Sequence, residues 1–546
     1  MSAYGVFQIS GFDVTSTPSR SARRPATGPG LWATALGLCL LALVFRTGLL
    51  TSSAQFDELY HLLGARGWIE TGRPAILDGE YTRTGWFTFA IAALFEATGR
   101  DSLLIGRLFS LPPGILAAPV LFVWLQARAG WAAGIGAGLL AVFWPQGIIE
   151  AQTLRFYSWH SFTFLLGAIA AFEAALATAP RTRLLWAAGA ALCLAVAFYL
   201  QITTAIGLAG ILVWLAGALL LPAILVRRHP RAILAGIALL GVALAALAQA
   251  TGVLGTLWHT YRWTPLWLAD KQNDVMFYHG VLVTMYPTLW PLFPLAAIVA
   301  MGRHARLASF CLVVFGAILV GQTFGGMKTE RYLSYGMPFF FAVWGLAAAA
   351  IVPLLGRLAA GAAREVDPTR GRLVLPALVL AALFAALTNP FFERSIDALR
   401  GRTNSPLPDE NWDGVAASLG DWSELPFRIT MRELQTIAEL GDYDLLYGPS
   451  RLTELPSQTS FAIDPRTGRP VIGETETLAR VLDCVPEGLF LTSENSWFRQ
   501  GAMQALGPVF AANGRAIETR FGDSVFALRW QGGGTGDPAA CAALPI

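Results

Sequence analysis

Charged side chains are scarce in this sequence. Only 14% of its 546 residues are Asp, Glu, Lys or Arg, whereas about a quarter is usual in soluble proteins. Hydrophobic residues make up 55% of the chain, and the mean hydropathy is +0.52. This composition excludes an ordinary soluble protein and predicts a polytopic α-helical membrane protein. The net charge of +3 is small for this length, which argues against nucleic acid as a partner.

Several chemical motifs are also missing. The polar C-terminal part has no phosphate loop, no nucleophile elbow and no zinc-ligand spacing. Its two cysteines, Cys484 and Cys541, can form a disulfide if this part lies outside the cytoplasm. Residues 1–30 are polar and do not resemble a cleavable signal peptide. We therefore expect a disordered cytoplasmic tail there.

Eleven apolar stretches are long enough to be candidate membrane spans, since a span needs roughly 17 residues or more. A further apolar piece, 86–97, is too short and is predicted to be a helix at the membrane surface. The candidate spans are 31–50, 103–126, 131–149, 160–179, 184–200, 204–226, 232–252, 281–301, 307–324, 335–356 and 373–390.

The arginines predict the orientation of these spans. If the N-terminus is cytoplasmic, every inner loop carries arginine and few acids, as the positive-inside rule requires. The odd number of spans then places the first loop, 51–102, and the C-terminal part, 391–546, on the outer face. We expect a transmembrane catalytic domain over 31–390.

The C-terminal part reads as a soluble, extracytoplasmic α/β domain. Strand-like runs alternate in it with helical segments and with turns rich in Pro and Gly. The predicted strands lie at 442–448, 488–493 and 524–530, and the predicted helices at 412–420, 474–484 and 499–508.

The first outer loop begins with QFDELYH, which contains Asp57, Glu58 and His61. Neighbouring helical positions point about 100° apart, so one carboxylate can accept a proton while the other positions a partner. The alternative is that both are solvated acids at a helix start, where the helix dipole favours them. Asp57 and His61 are spaced as two ligands of a metal site would be, but no remaining ligands stand out. We therefore expect no cofactor, with a divalent metal as the less favoured alternative.

Cations and aromatic residues gather in the outer loops. A cation at the membrane surface can neutralise a phosphate, and an aromatic ring can pack against a sugar. The alternatives are interfacial anchors, lipid headgroup contacts and a pairing of Glu330 with a neighbouring cation. The candidates for donor binding are Arg155, Tyr157, Arg262, Lys271, Lys328, Arg331 and Tyr332. The candidates for acceptor or loop roles are His61, Tyr81, Arg83, His160 and His279.

Carboxylates and cations at a membrane edge suit one reaction in particular, the transfer of a sugar from a polyprenyl phosphate to an acceptor hydroxyl. A carboxylate would act as general base on the hydroxyl, and the cations would stabilise the departing phosphate. A single displacement would invert the anomeric centre. The alternative function is a lipid or sugar transporter, although transporters place ionisable groups near the membrane midplane in paired halves.

The order of these segments resembles the GT-C superfamily of membrane glycosyltransferases, in the branch that contains protein O-mannosyltransferases and lipid A aminoarabinose transferases. The second loop departs from the pattern, because it has Arg-Phe-Tyr-Ser where many mannosyltransferases have an Arg-Pro-Asp-type sequence. The similar segments are FDELYHLLGARGWIETGRP, WFTFAIAALFEATGRDSLLIGRLFSLPPG, EAQTLRFYSWHSF, ERYLSYGMPFF, NWDGVAASL, GDYDLLYG and DPRTGRPVIG.

The resemblance implies a GT-C fold with juxtamembrane helices. It also implies that Asp57 is the general base, that Glu58 positions the acceptor or the sugar, and that Arg155 and Arg331 contact the donor. The donor would be a polyprenyl monophosphate sugar used without metal, and the transferred group a hexosyl or pentosyl unit. The acceptor would be a glycolipid such as lipid A, a cell-envelope glycan or a protein, reached from the bacterial inner membrane.

Overall fold

The structure is a computed structural model of the chain, and it describes part of its residues. They are 28–80, 84–220, 249–264, 266–365, 389–402, 410–455, 460–499, 501–512, 516–521 and 524–546, with a few isolated positions between 239 and 246. Most of the predicted tail, the predicted spans 232–252 and 373–390, and the candidates Tyr81 and Arg83 lie wholly or largely outside the described residues.

Long apolar helices form most of the N-terminal two thirds. Five of the described helical segments are long and apolar enough to cross a membrane, and a bent pair adds a sixth. The helices are α1 (Pro29–Phe45), α2 (Phe56–Thr71), α3 (Gly85–Thr98), α4 (Leu103–Ala129), α5 (Trp131–Val142), α6 (Pro145–Ala151), α7 (Tyr157–Leu176), α8 (Pro180–Leu200), α9 (Thr204–Leu215), α10 (Val253–Arg262), α11 (Phe277–Met285), α12 (Phe293–Phe324), α13 (Met337–Glu365) and α14 (Pro390–Leu399).

The bent pair consists of α5 and α6, whose axes differ by 62°. Pro145 lies at the break, where its missing N–H is tolerated in the first turn of a helix but not in the interior. The span predicted at 131–149 is therefore two helices. The break turns α6 and the loop after it toward the first outer loop, and this loop carries Arg155.

Helix α12 reverses direction at His304, where the backbone leaves helical geometry (φ −130°, ψ 46°). The rings of Phe293 and Phe315 lie 5.5 Å apart, whereas a straight helix would separate these residues by roughly 33 Å. The segment, counted above as one apolar stretch, is therefore a tight antiparallel hairpin whose turn lies between the predicted spans 281–301 and 307–324. The first of those spans, 281–301, is interrupted, because α11 ends at Met285, just before a stretch containing three prolines at 287–294.

The first outer loop folds into α2, a small hairpin and α3. The hairpin pairs β1 (Ala75–Ile76) with β2 (Gly79–Glu80) in antiparallel fashion. Helix α3 confirms the short apolar helix predicted at 86–97. A cluster of buried apolar side chains joins α2 to α3, and this packing holds α2 in place.

The C-terminal part contains a seven-stranded mixed sheet in the order β5-β6-β4-β3-β7-β9-β8. The three strands predicted from the sequence are confirmed as β4, β7 and β9, and helices occupy the three segments predicted to be helical. The strands are β3 (Arg428–Thr430), β4 (Leu445–Tyr447), β5 (Phe461–Ile463), β6 (Pro470–Ile472), β7 (Glu487–Ser493), β8 (Ala516–Phe521) and β9 (Val525–Gln531), and the helices are α15 (Val415–Leu419), α16 (Glu433–Leu440), α17 (Pro449–Glu454), α18 (Thr475–Cys484), α19 (Ala502–Ala511) and α20 (Pro538–Cys541).

A disulfide closes the end of this part of the chain. Cys484 at the end of α18 is bonded to Cys541 at the end of α20, so the disulfide that the sequence left open is present. The bond ties the last residues of the chain to the core of the sheet.

The C-terminal part packs directly on the first outer loop. Leu434 and Ile437 of α16 join the same apolar cluster as α2. The loop between β5 and β6 meets the β1–β2 hairpin so closely that a Cβ on Gly79 would come within 2.3 Å of the backbone carbonyl carbon of Arg466. A glycine at this position is what allows the two backbones to approach. The contact brings Arg466 to one end of the site described next.

Candidate active site

Asp57 lies in the first turn of α2 and is contacted by two arginines from different parts of the chain. Arg155 Nη1 donates to Asp57 Oδ2 at 2.5 Å, and Arg331 Nη1 donates to the same oxygen at 3.3 Å. The Asp57 side chain is 38% exposed, so it remains partly accessible. The structure thus brings together three of the residues predicted from the sequence.

Two tyrosines pack against the arginines. The ring of Tyr157 lies 4.8 Å from the Arg155 guanidinium and 5.6 Å from that of Arg331, and the Tyr332 ring lies 5.9 Å from Arg331. Such cation–π contacts restrain the guanidinium planes. Both arginines also carry a buried Nε–H without a hydrogen-bond partner in the described part of the chain. A buried donor of this kind is costly unless a ligand accepts from it.

The two arginines set the charge state of Asp57. Burial on its own would raise the pKa of the carboxyl, but Arg155 and then Arg331 outweigh this effect and hold the pKa below its usual value. Asp57 is therefore ionised at neutral pH. In this arrangement it is a weak base, because both cations favour the carboxylate over the acid.

Glu58, the neighbour of Asp57, faces the protein interior. Its carboxylate is fully buried and accepts from Arg107 Nε at 2.9 Å and from Arg107 Nη2 at 2.7 Å. It also accepts from the backbone N–H groups of Gln55 and Leu154. This geometry leaves Glu58 no direct contact with a substrate, contrary to the role predicted for it. The bond to Leu154 instead fixes the residue next to Arg155 against α2.

His61 lies one turn after Asp57 and is also buried. Its ring packs against Phe87 at 5.0 Å and Phe156 at 5.9 Å. Burial, and to a smaller extent Arg155, lowers the pKa of His61 to about 3, so its imidazole is neutral at physiological pH. Within the described residues, no group of three or more His, Cys, Asp and Glu side chains is arranged to hold a metal ion.

The other predicted cations do not contact Asp57. Lys328 is buried, and its Nζ donates to three backbone carbonyls at the end of α12, so it caps that helix. Arg262 lies over the ring of Trp258, and Lys271 is exposed on a short helix. His279 is exposed and accepts from Trp290 Nε1 at 2.9 Å.

His160, the remaining predicted candidate within the described residues, belongs to the bundle interior. It is buried, its Nε2 lies 2.8 Å from Thr204 Oγ1, and its ring lies 4.8 Å from that of Tyr335. Its contacts join α7 to α9 and to the short helix before α13.

Sequence reasoning missed three residues near the site. Arg107 lies inside an apolar span, where an arginine must find partners, and this signal could have revealed its pairing with Glu58. Glu150 begins the second outer loop and is buried beneath it. Arg466 donates to the hydroxyl of Tyr60 on α2, and nothing in the local sequence indicates this long-range contact.

Solved structures of two membrane proteins share this architecture. No protein-family model and no curated protein matches the sequence. ArnT from Cupriavidus metallidurans bound to undecaprenyl phosphate is 13% identical, with a TM-score of 0.54 over 91% of this chain and 97% of ArnT. Its apo form is 14% identical, with a TM-score of 0.57 over 92% and 98% of the respective chains.

The second protein is the oligosaccharyltransferase AglB from Archaeoglobus fulgidus, in complex with an inhibitory peptide and a dolichol-phosphate. It is 13% identical, with a TM-score of 0.57 over 90% of this chain and 73% of AglB. Both proteins have the GT-C fold. This chain has a GT-C fold. The GT-C fold predicted from the order of the sequence motifs is thereby confirmed. Because the sequence identity is low, the likeness is one of fold only.

Proposed function

We propose that this protein is an inverting glycosyltransferase that moves a hexosyl or pentosyl unit from a polyprenyl-phosphate donor to an acceptor hydroxyl on the outer face of the membrane. The observation that carries the proposal is the convergence of Arg155 and Arg331 on one oxygen of the partly exposed Asp57 side chain. The site then contains one carboxylate for the acceptor proton and two cations for the donor phosphate.

The donor phosphate would bind between the two guanidiniums. The Arg155 and Arg331 side chains are 12% and 23% exposed, so each can be reached from outside, and guanidinium geometry matches the oxygens of a phosphate. Tyr157 packs against both guanidiniums and would restrain their orientation relative to each other. ArnT bound to undecaprenyl phosphate and AglB in complex with a dolichol-phosphate support a lipid phosphate as part of the donor.

The reaction would be a single displacement. The acceptor oxygen bonds to the anomeric carbon while the bond from that carbon to the phosphate oxygen breaks. The hydroxyl proton passes to Asp57, and the lipid phosphate leaves with its new negative charge beside Arg155 and Arg331. No metal is required in this scheme, because the two cations do the work of charge stabilisation.

Donor binding would also make Asp57 a better base. In the free protein both arginines lower the pKa of Asp57. An incoming phosphate shares these cations and adds negative charge next to the carboxylate, so it raises the pKa toward its ordinary value. We therefore expect the donor to bind before proton transfer becomes efficient.

The ionisable groups in the described spans fit an enzyme better than a transporter. Arg107 is paired with Glu58, and Arg128 is paired with Glu173. Groups engaged in this way join helices to one another, whereas a transport pathway needs groups that face a central cavity.

The C-terminal part would select the acceptor. It packs on α2, where the Arg466 guanidinium lies 5.5 Å from the ring of Tyr60. Tyr60 is about one helical turn after Asp57. An acceptor approaching Asp57 from the outside would pass this contact. We propose a glycolipid, cell-envelope glycan or protein acceptor and a place in the bacterial inner membrane, with a cytoplasmic N-terminus and an extracytoplasmic C-terminal domain.

The proposal is tested with membranes that contain the full chain and a panel of radiolabelled polyprenyl-phosphate sugars. Wild type should transfer label from one donor, and Asp57→Asn should not. Asp101→Asn is the matched control, because Asp101 is an exposed carboxylate in the same loop that pairs with Arg66. It should behave as wild type. Transport of the labelled donor across sealed vesicles without any glycosylated product would refute the proposal.

A further inference from the structure

Glu150 is a buried carboxylate for which the reaction outlined above has no role. It lies near the end of α6, and its residue is only 3% exposed. Its Oε1 accepts from Ser334 Oγ at 2.5 Å and from Gln146 Nε2 at 3.0 Å. Gln146 belongs to the same helix, but Ser334 is 184 residues away in the chain. The bond to Ser334 therefore joins two separate segments.

These two segments carry the two arginines of the site. Glu150 lies five residues before Arg155 in the same loop, and Ser334 lies three residues after Arg331. Both ends of the bond are buried, since Ser334 is 1% exposed. A hydrogen bond between two buried groups is not exchanged for bonds to water, because breaking it leaves a buried polar group without a partner. It limits how far the two segments can move apart.

The surroundings of Glu150 explain how a carboxylate is tolerated there. It lines a small cavity together with Arg46, whose Nε has no hydrogen-bond partner in the described part of the chain. Ionised or protonated, the Glu150 carboxyl keeps an oxygen that can accept from the Ser334 hydroxyl, whereas an apolar side chain would offer that hydroxyl nothing.

We infer that Glu150 is a positioning residue that fixes Arg155 and Arg331 at the spacing a lipid phosphate requires. Glu58 fixes the start of the same loop to α2 through Leu154. Glu150 fixes the loop to the segment of Arg331 through Ser334. Without the second bond, only the shared contact with Asp57 holds the two guanidiniums together, and their spacing is less well fixed for binding one phosphate. This inference rests on the proposed function, because it assumes that the arginine pair binds the donor phosphate.

The test measures binding of undecaprenyl phosphate to the full chain in nanodiscs, together with the melting temperature of each variant. The variants are Ser334→Ala, Glu150→Ala, Glu150→Gln and the double alanine variant. Gln152→Ala is the matched control, because Gln152 is equally buried two residues further on but bonds to Leu49 and Ile148 instead. Ser334→Ala removes one hydroxyl only and keeps the test interpretable if Glu150→Ala does not fold.

Each single alanine variant should weaken binding on the order of tenfold, since misplacing a positioned group by about 1 Å can cost as much as 100-fold. The double variant should be no weaker than either single one, because both remove the same link. Glu150→Gln keeps an acceptor oxygen and should restore most of the affinity. Gln152→Ala should lower the melting temperature without changing the affinity.

The outcomes separate the two proposals. If wild type binds undecaprenyl phosphate and the Ser334→Ala and Glu150→Ala variants bind equally well, the positioning role of Glu150 is refuted and the proposed function stands. Additive losses in the double variant would also refute the link. If wild type does not bind undecaprenyl phosphate at all, the donor site fails and the role of Glu150 fails with it.

Discussion

Replacing Glu58 with alanine should damage the fold rather than the chemical step. The variant removes an acceptor of four hydrogen bonds, two from Arg107 and one each from the backbones of Gln55 and Leu154. Arg107 would remain buried with its charge, held only by backbone carbonyls of residues 49–53. Breaking a buried ion pair from one side costs about 3–5 kcal/mol.

A loss of this size is measurable in detergent. A cost of about 4 kcal/mol corresponds to a fall of roughly 8–16 °C in melting temperature for a domain of 150–250 residues, and to less for a larger one. The thiols of Cys39, Cys193 and Cys311 are not in disulfides, so a thiol-reactive dye can follow unfolding on heating. Transfer activity at low temperature should follow the folded fraction, apart from a loss of donor affinity because Leu154 no longer fixes the neighbouring Arg155 to α2.

The control for this experiment is Glu96→Ala, which changes an exposed glutamate on α3 and should leave the melting temperature unchanged. Two results would contradict the reasoning. One is a Glu58→Ala variant that melts like wild type, which would mean that the buried network does not hold the loop. The other is a fully folded Glu58→Ala variant that binds donor without transferring sugar, which would place Glu58 in the chemistry.

Three further predictions concern the arginine pair, the pH profile and the disulfide. Arg155→Met and Arg331→Met should each lower kcat/KM for the donor on the order of 10²- to 10³-fold, as loss of one charge-stabilising donor does; steady-state kinetics would show it, and a change below threefold would contradict the phosphate site. Because the arginines lower the pKa of Asp57, wild-type kcat/KM should have no acidic limb from Asp57 between pH 5 and 8. Arg331→Met removes a cation and should move the acidic limb to higher pH. An acidic limb at the same or a lower pH would count against Asp57 as the base. Replacing Cys484 and Cys541 with serine opens a link over a sequence separation of 57, which should cost the C-terminal part at most about 4 kcal/mol; limited proteolysis in denaturant would detect it, and equal resistance with and without the bond would contradict it.

Local patterns in the sequence were enough to predict several elements. The run at 86–97 is mostly apolar, which favours a helix that packs against apolar surface. At 12 residues it is too short to span a membrane. The strands at 445–447, 487–493 and 525–531 coincide with apolar runs that are bounded by turn residues. The presence of the FDELYH, LRFY and ERY segments at outer ends of spans predicted the meeting of Asp57, Arg155 and Arg331.

Other features depend on tertiary contacts that a single sequence does not reveal. The pattern Asp57-Glu58 predicts two different environments, but only packing decides which carboxylate faces the cleft. Arg107 decides it, because its buried charge requires the partner that Glu58 supplies. Lysine is a residue type that often binds phosphate, yet the Nζ of Lys328 donates its hydrogen bonds to backbone carbonyls at the end of α12. The link between Glu150 and Ser334 spans 184 residues and has no local signal.

The most direct test of the central claim is to measure donor binding and single-turnover transfer on one sample of the Asp57→Asn variant. The donor is the one that labels wild-type product. The account predicts that the folded variant binds this donor at least as tightly as wild type, because it has lost a negative charge beside the phosphate site, and that it transfers no sugar. Transfer by the folded Asp57→Asn variant at the wild-type rate would contradict the assignment of Asp57 as the base.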